Sequence, residues 1–351
     1  MKLGWTIYIV NNHSFLTVKH QKRVDKYFFA VQERYTAFLR DAQQAAMKVL
    51  NGEGDGTECF VKTGTVKVGA LLPHEVTMAA RACYVDRLNM STDTYDRQKM
   101  EFDLQWNGLT QNLLHTTAGN PTRCWVPVCD VSASMQGQPM EVAIALSLLL
   151  AEVNRPESGW YGKMFTFETE PELVDIFKFS KLESTQVVSV DDSPKEGMMN
   201  KLRDIGDAAF RVSEMEWGGS TDILKTMRMF CETAVNNKTT IEEMKHHGIV
   251  IFSDMEFDDA TDGTWDTIHE KIVTLFQEVG YPTVPRIIYW NLRASRSTPV
   301  AKDTKGVVLL SGFSPHLLNC FLEGDLREFT PMAQLRAVLD KPAYALLRTV
   351  E

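Results

Sequence analysis

CWVPVCDVSASM, residues 124–135, is the stretch whose reading decides the fold. Trp125, Val126, Val128 and Val131, with Cys124 and Cys129 among them, form a short apolar run with no polar alternation. Strands covered on both faces read this way, and such strands belong to parallel sheets. Pro127 counts against a strand interior, because it removes a ladder donor. The run then breaks into Asp130, Ser132 and Ser134, a carboxylate and two hydroxyls at the end of a strand, where open parallel sheets place their ligands. Gln138-Pro139 opens the next segment, and EVAIALSLLLAEV, residues 141–153, reads as a helix apolar on nearly every face.

Oxygen donors of this kind suit a hard divalent cation, which wants about six of them. Two other loops offer more: Thr221 in WGGSTDI, a glycine-rich loop before a helix, and Asp254 in GIVIFSDMEF, which ends a second apolar strand. The expected site is therefore Asp130, Ser132, Ser134, Thr221 and Asp254 around one cation, Mg²⁺ or else Mn²⁺ or Ca²⁺. Taken singly, each residue has a simpler use: serine and threonine cap helices and aspartate closes turns. Their joint arrangement is what points to a metal.

Outward from this run, the chain keeps alternating. KMFTFET (163–169) and PELVDIF (171–177) predict two short strands joined as a hairpin, and HHGIVIFSD (246–254) a buried strand. Residues 285–290 and 306–310 predict the last two strands, with helices over 198–215, 221–235 and 265–279 between them. The fold class expected is α/β: a doubly wound, mostly parallel six-stranded sheet, with one short edge strand, preceded by a small α-helical region. Before the first strand, Val24, Phe28, Val31, Tyr35, Phe38, Ala42, Ala45 and Val49 make a helical stripe, and helices are expected from Leu71 to about Val85 and from Tyr95 to Leu114. HTTAGNPT at 115–122 reads as a linker. The expected domains are thus a helical region, 1–118, and the sheet domain, 119–351.

Three features are tempting and are set aside. His74-Glu75 lacks a second histidine at helical spacing and reads as a helix start. His246 and His247, adjacent on a strand, would point to opposite faces and so share no metal. Glu256, Asp258, Asp259 and Asp262 read as a solvated acidic turn, not as ligands.

The 351 residues, 44% of them hydrophobic, suffice for a sizeable core, and a net charge of −9 argues against a general polyanion-binding surface. Cys59, Cys83, Cys124, Cys129, Cys231 and Cys320 form no Cys-x-x-Cys pair and are expected to be reduced, mostly buried thiols. No run approaches the ~18 apolar residues of a membrane span. A cytoplasmic protein with no membrane partner is expected, a nuclear location being compatible.

The residues also resemble a family. Asp130-x-Ser132-x-Ser134, Thr221 and Asp254 are similar, in order and context, to the metal-ion-dependent adhesion site of von Willebrand factor A domains. GALLPHEV (69–76), CDVSASMQGQPMEVAIAL, MEWGGSTDI, FSDMEFDDA, YWNLRASRSTPV and GVVLLSGFSPHLL extend the resemblance, over roughly 60–350, to the domain-of-unknown-function 2828 family. The C-terminal half of that family is an A-like domain related to that of the Ro ribonucleoprotein. Ala133 stands where the family has a small residue, and 181–197 looks like an insertion. The 1–118 region would then be a remnant of the family's helical-repeat domain. The resemblance implies a binding or scaffold module in which Ser132, Ser134 and Thr221 ligate the cation directly or through water. Asp130 and Asp254 supply charge, and an acidic side chain of a partner protein completes the shell. Two other functions are weighed: RNA-protein assembly of the Ro type, and Mg²⁺-dependent phosphoryl transfer. The second would want an acid two residues after Asp130, where Ser132 stands, and no Walker loop is present. No catalytic residue is expected.

Overall fold

The computed structural model describes residues 30, 31, 33–42, 44, 72–117, 124–167, 170–177, 204–215, 222–255, 265–293, 306–313 and 317. The chain divides into two compact units: Met1–Thr65 with Asp192–Leu202, and Val66–Asp191 with Arg203–Glu351. In the first, the described residues between 30 and 44 are helical (α1). Of the predicted stripe, Val31 and Tyr35 are exposed, whereas Leu39, outside it, is buried.

The second unit begins with α2 (Pro73–Val85) and α3 (Thr92–Thr117). Then come β1 (Cys124–Asp130), α4 (Gln138–Val153), β2 (Lys163–Phe167) and β3 (Leu173–Asp175). The chain continues through α5 (Ile205–Ser213), α6 (Ile223–Asn236), α7 (Ile241–His246) and β4 (His247–Ser253). It closes with α8 (Trp265–Val279), β5 (Arg286–Asn291) and β6 (Val307–Ser311). The six strands form one sheet in the order β3-β2-β1-β4-β5-β6. All neighbours are parallel except β2 and β3, an antiparallel pair at the edge. This is the doubly wound α/β sheet, and the strand order reverses between β1 and β4.

The unbroken apolar runs follow from that position. Every residue of β1 and β4 is buried. Side chains alternate between faces: Val126, Val128, Ile249, Ile251, Ile287 and Tyr289 pack with α6 and α8 residues such as Phe230 and Phe276. Trp125, Cys129, Val250, Phe252, Ile288 and Trp290 pack on the other side, with α4. β1 pairs with β2 only from Val128 on, so Pro127 borders the place where that ladder begins. Gly248 lies beneath the Trp125 indole: a Cβ there would come within 2.2 Å of the ring, so only glycine fits.

α4 is apolar all round because it is covered twice, by the sheet on one side and by α2, α3 and α5 on the other. Polar ties hold the outer helices to it: Arg81 of α2 pairs with Glu141, and the Trp106 indole of α3 donates to Glu152 at 3.0 Å. Gly206 of α5 lets that helix approach α2, since a Cβ would sit 2.5 Å from the Ala80 carbonyl oxygen. At the end of α4, the Asn154 side chain acts as a short strand: Trp125 N–H donates to Oδ1 at 2.9 Å, and Nδ2 donates to the Trp125 carbonyl at 2.7 Å.

Two details depart from the sequence reading. His246 is not on the strand; it ends α7, a six-residue helix opened by a reciprocal Thr240–Glu243 capping box. His247 begins β4, with Nδ1 2.5 Å from the Glu243 carbonyl oxygen, and His246 reaches toward Glu242 at 3.9 Å. α3 runs on to Thr117, into the segment read as a linker. Cys83, Cys124, Cys129 and Cys231 are free and buried, as expected, and burial pushes the thiols of Cys124, Cys129 and Cys231 up to about 12. Cys59 and Cys320 lie outside the described residues, as do residues 256–262, read from the sequence as a solvated acidic turn. Among the described residues no helix is long and apolar enough to cross a membrane.

Candidate metal centre

β1 and β4 are neighbours, so their last residues, Asp130 and Ser253, meet at the point where the strand order reverses. Open α/β sheets hold ligands in the crevice at such a point. Asp130 is 1% exposed and both its oxygens are occupied. Oδ1 accepts from the Ser132 backbone N–H at 2.9 Å, folding the chain back at once after the strand. Oδ2 accepts from the Ser253 hydroxyl at 2.6 Å, and that hydroxyl in turn accepts from Met255 N–H at 3.0 Å. Burial pushes the Asp130 carboxyl up to about 6, opposed by the bonds from Ser132 and Ser253 and reinforced by the nearby Asp254 charge.

The serine turn is a single 3₁₀ turn, Ala133–Met135, anchored by the wholly buried Met135. It closes at Gly137, whose φ of 97° favours glycine, just ahead of the Pro139 start of α4. The turn brings the Ser132 and Ser134 hydroxyl oxygens 3.0 Å apart. Asp254 follows Ser253 and is fully buried. A third strand end closes the locus. Leu292 N–H donates to the Ser253 carbonyl, and Arg293 N–H to the Asn291 side chain, both at 3.0 Å. Nη1 of Arg293 then donates to the Ser134 carbonyl and lies 3.9 Å from Asp254 Oδ2.

Four of the five expected residues, Asp130, Ser132, Ser134 and Asp254, thus gather at one end of the sheet; Thr221 lies outside the described residues. Asp222, its neighbour, is the α6 N-cap, accepting from Leu224 and Lys225 N–H at 3.0 Å. Ser253, Asn291 and Arg293 are missing from the sequence reading. Ser253 had a signal, a hydroxyl immediately before the strand-end aspartate; the other two had none without the topology.

The donor set fits a hard cation. Two oxygens bound at right angles to Mg²⁺ at its usual distance lie about 3.0 Å apart, and the two serine oxygens already stand at 3.0 Å, here as a hydrogen bond. Among the described residues no three His, Cys, Asp or Glu side chains converge as a metal-holding group, so hydroxyls would have to share the ligation with Asp130 and Asp254. A soft or carboxylate-rich site is not what these residues build.

Three similarities to known proteins accompany this geometry. The Ro (RSR) protein of Deinococcus radiodurans is similar in structure with a TM-score of 0.41 and 15% identity, over 82% of this chain and 52% of that one. The uncharacterized protein L728 of Acanthamoeba polyphaga mimivirus is 32% identical over 238 residues, which is 67% of this chain. The matched part spans 36% of that relative's length. A domain of unknown function, DUF7788, matches residues 124–334, from the first residue of β1 past the end of β6, and the chain belongs to that family.

Proposed function

We propose that the sheet domain is a non-catalytic binding module of the von Willebrand A kind, in which a divalent cation at the β1–β4 crevice recognises an acidic side chain of a partner protein. Ser132 and Ser134 present neutral oxygens, Asp130 and Asp254 supply the negative charge, and Thr221 is assigned as the further hydroxyl ligand. Ser253 and the Ser132 backbone N–H hold Asp130 in place from behind. A hard cation held mainly by hydroxyls keeps enough positive charge to take a carboxylate at its open coordination position. What supports this reading is the serine pair at octahedral spacing beside a buried, doubly anchored aspartate.

Calorimetric titration with Mn²⁺ tests it. Outer partners of metal sites contribute about 10–100-fold in affinity, so Asp130→Asn is expected to lose affinity by about that factor while circular dichroism and the urea midpoint stay near wild type. A glutamate-bearing peptide is expected to bind in Mn²⁺ and not in chelator. Equal Mn²⁺ affinity in wild type and Asp130→Asn would overturn the assignment.

A further inference from the structure

Asp130 and Asp254, 1% and 0% exposed, share one end of the sheet and repel each other. Buried carboxylates of like charge need a counter-ion. Among the described residues, Arg293 lies at ion-pair distance of Asp254, and its Nη1 also donates to the Ser134 carbonyl. One guanidinium nitrogen therefore bonds one loop of the proposed metal site and stands 3.9 Å from the carboxylate of a second. Its position is set by the backbone: Asn291 is buried, and its side chain accepts from Arg293 N–H. Its release is not hindered in the same way, because the Arg293 side chain is 49% exposed. It can swing into solvent without opening the core.

A guanidinium has five donors and no acceptor, so it cannot be a ligand to a cation; it can only take the cation's place. We propose that Arg293 is the tethered cation of the metal-free site, displaced from Asp254 and the Ser134 carbonyl when a divalent ion enters, and that it thereby selects divalent over monovalent ions. This rests on the metal-binding reading above. The selectivity follows from charge. Arg293 reduces the paired carboxylates from two negative charges to one. A sodium or potassium ion replacing it gains no charge and must displace a group held at high effective concentration by its own chain. A divalent ion gains one full charge in a poorly solvated place.

The test is Mn²⁺ titration calorimetry on wild type, Arg293→Gln and Arg293→Lys, each at one ionic strength set with sodium chloride or with tetramethylammonium chloride, whose cation is too large for the site. In the tetramethylammonium salt Arg293→Gln is expected to bind Mn²⁺ about tenfold more tightly than wild type, the competing charge being gone. In sodium that advantage shrinks, because sodium now enters the vacated place. Arg293→Lys keeps a tethered charge and stays near wild type in both salts. In chelator, Arg293→Gln is expected to melt below wild type, a loss of opposite sign to its gain in metal affinity. Equal or weaker Mn²⁺ binding by Arg293→Gln in the tetramethylammonium salt overturns the proposal and leaves the metal site standing. Absence of Mn²⁺ binding by all three proteins overturns both.

Discussion

Among the described residues, two pairs of buried or half-buried aspartates in the second unit are neutralised in opposite ways. Asp103 of α3 and Asp204, the α5 N-cap, are closed from within. Lys99 bonds Asp103 and lies 3.6 Å from Asp204, the Tyr95 hydroxyl donates to Asp204 at 3.2 Å, and Ile205 N–H donates to Asp103 at 3.2 Å. Asp130 and Asp254 instead receive a hydroxyl, a backbone N–H and a half-exposed arginine at 3.9 Å. A lysine one turn away on the same helix is part of the fold and clamps α3 to α5. A guanidinium reaching in from a surface turn can be exchanged. The same chemical need, positive charge beside buried carboxylate, makes a structural clamp in one place and a proposed binding site in the other.

Three changes would break or sharpen that contrast. The largest effect is expected at the clamp: Lys99→Met leaves Asp103, 4% exposed, without its cation. Removing one partner of a buried pair costs about 3–5 kcal/mol, and the 28% exposure of Lys99 puts this case near the low end. Urea unfolding should show the loss, and Mn²⁺ should not restore it. At the open pair the converse holds. Ser134→Ala should change stability by less than about 0.5 kcal/mol and weaken Mn²⁺ binding about tenfold, a factor worth about 1.4 kcal/mol, as read by calorimetry.

The smallest effect is a pH dependence. Burial raises the Asp103 carboxyl to about 6, even against the favourable Lys99 contact. A carboxyl raised in the folded state binds its proton more tightly there than when unfolded. Its contribution is therefore full below about 4, the unfolded value, and declines as pH rises through about 6. Asp103→Asn should flatten that part of the stability curve by at most about 1.4 kcal/mol per pH unit, the slope that one proton contributes. An unchanged slope in the variant would mean that Asp103 does not titrate there.

Much of the fold was legible because its signals are local. The apolar runs at 124–129 and 248–252 read as strands covered on both faces, Pro127 notwithstanding, and the antiparallel β2–β3 edge follows from two short apolar runs separated at Glu170-Pro171. α8 begins at Trp265 and ends at Val279, the limits its periodicity predicts. α7 was not legible: IEEMKH is too short to show a hydrophobic period, and its capping box alone marks it. At the site, Asp130, Ser132, Ser134 and Asp254 stand out because each follows an apolar strand. Ser253 acts on a residue 123 positions earlier, and Arg293 on one 159 positions earlier. Only the placing of β4 between β1 and β5 brings those together, and no spacing within the chain encodes it. The Lys99 clamp was missed for the same reason, since Asp204 lies on a helix about a hundred residues further on.

The Asn154 side chain, bonded to both backbone groups of Trp125, ties together two points 29 residues apart. β1, the serine turn and α4 thus form a closed loop, stapled where it begins and where it ends. Residues inserted at the tip of the turn lengthen only the inside of that loop, at the slowly growing cost of closing it. This makes the 136–137 corner the place where related chains can grow new segments beside the crevice while strand and helix keep their register.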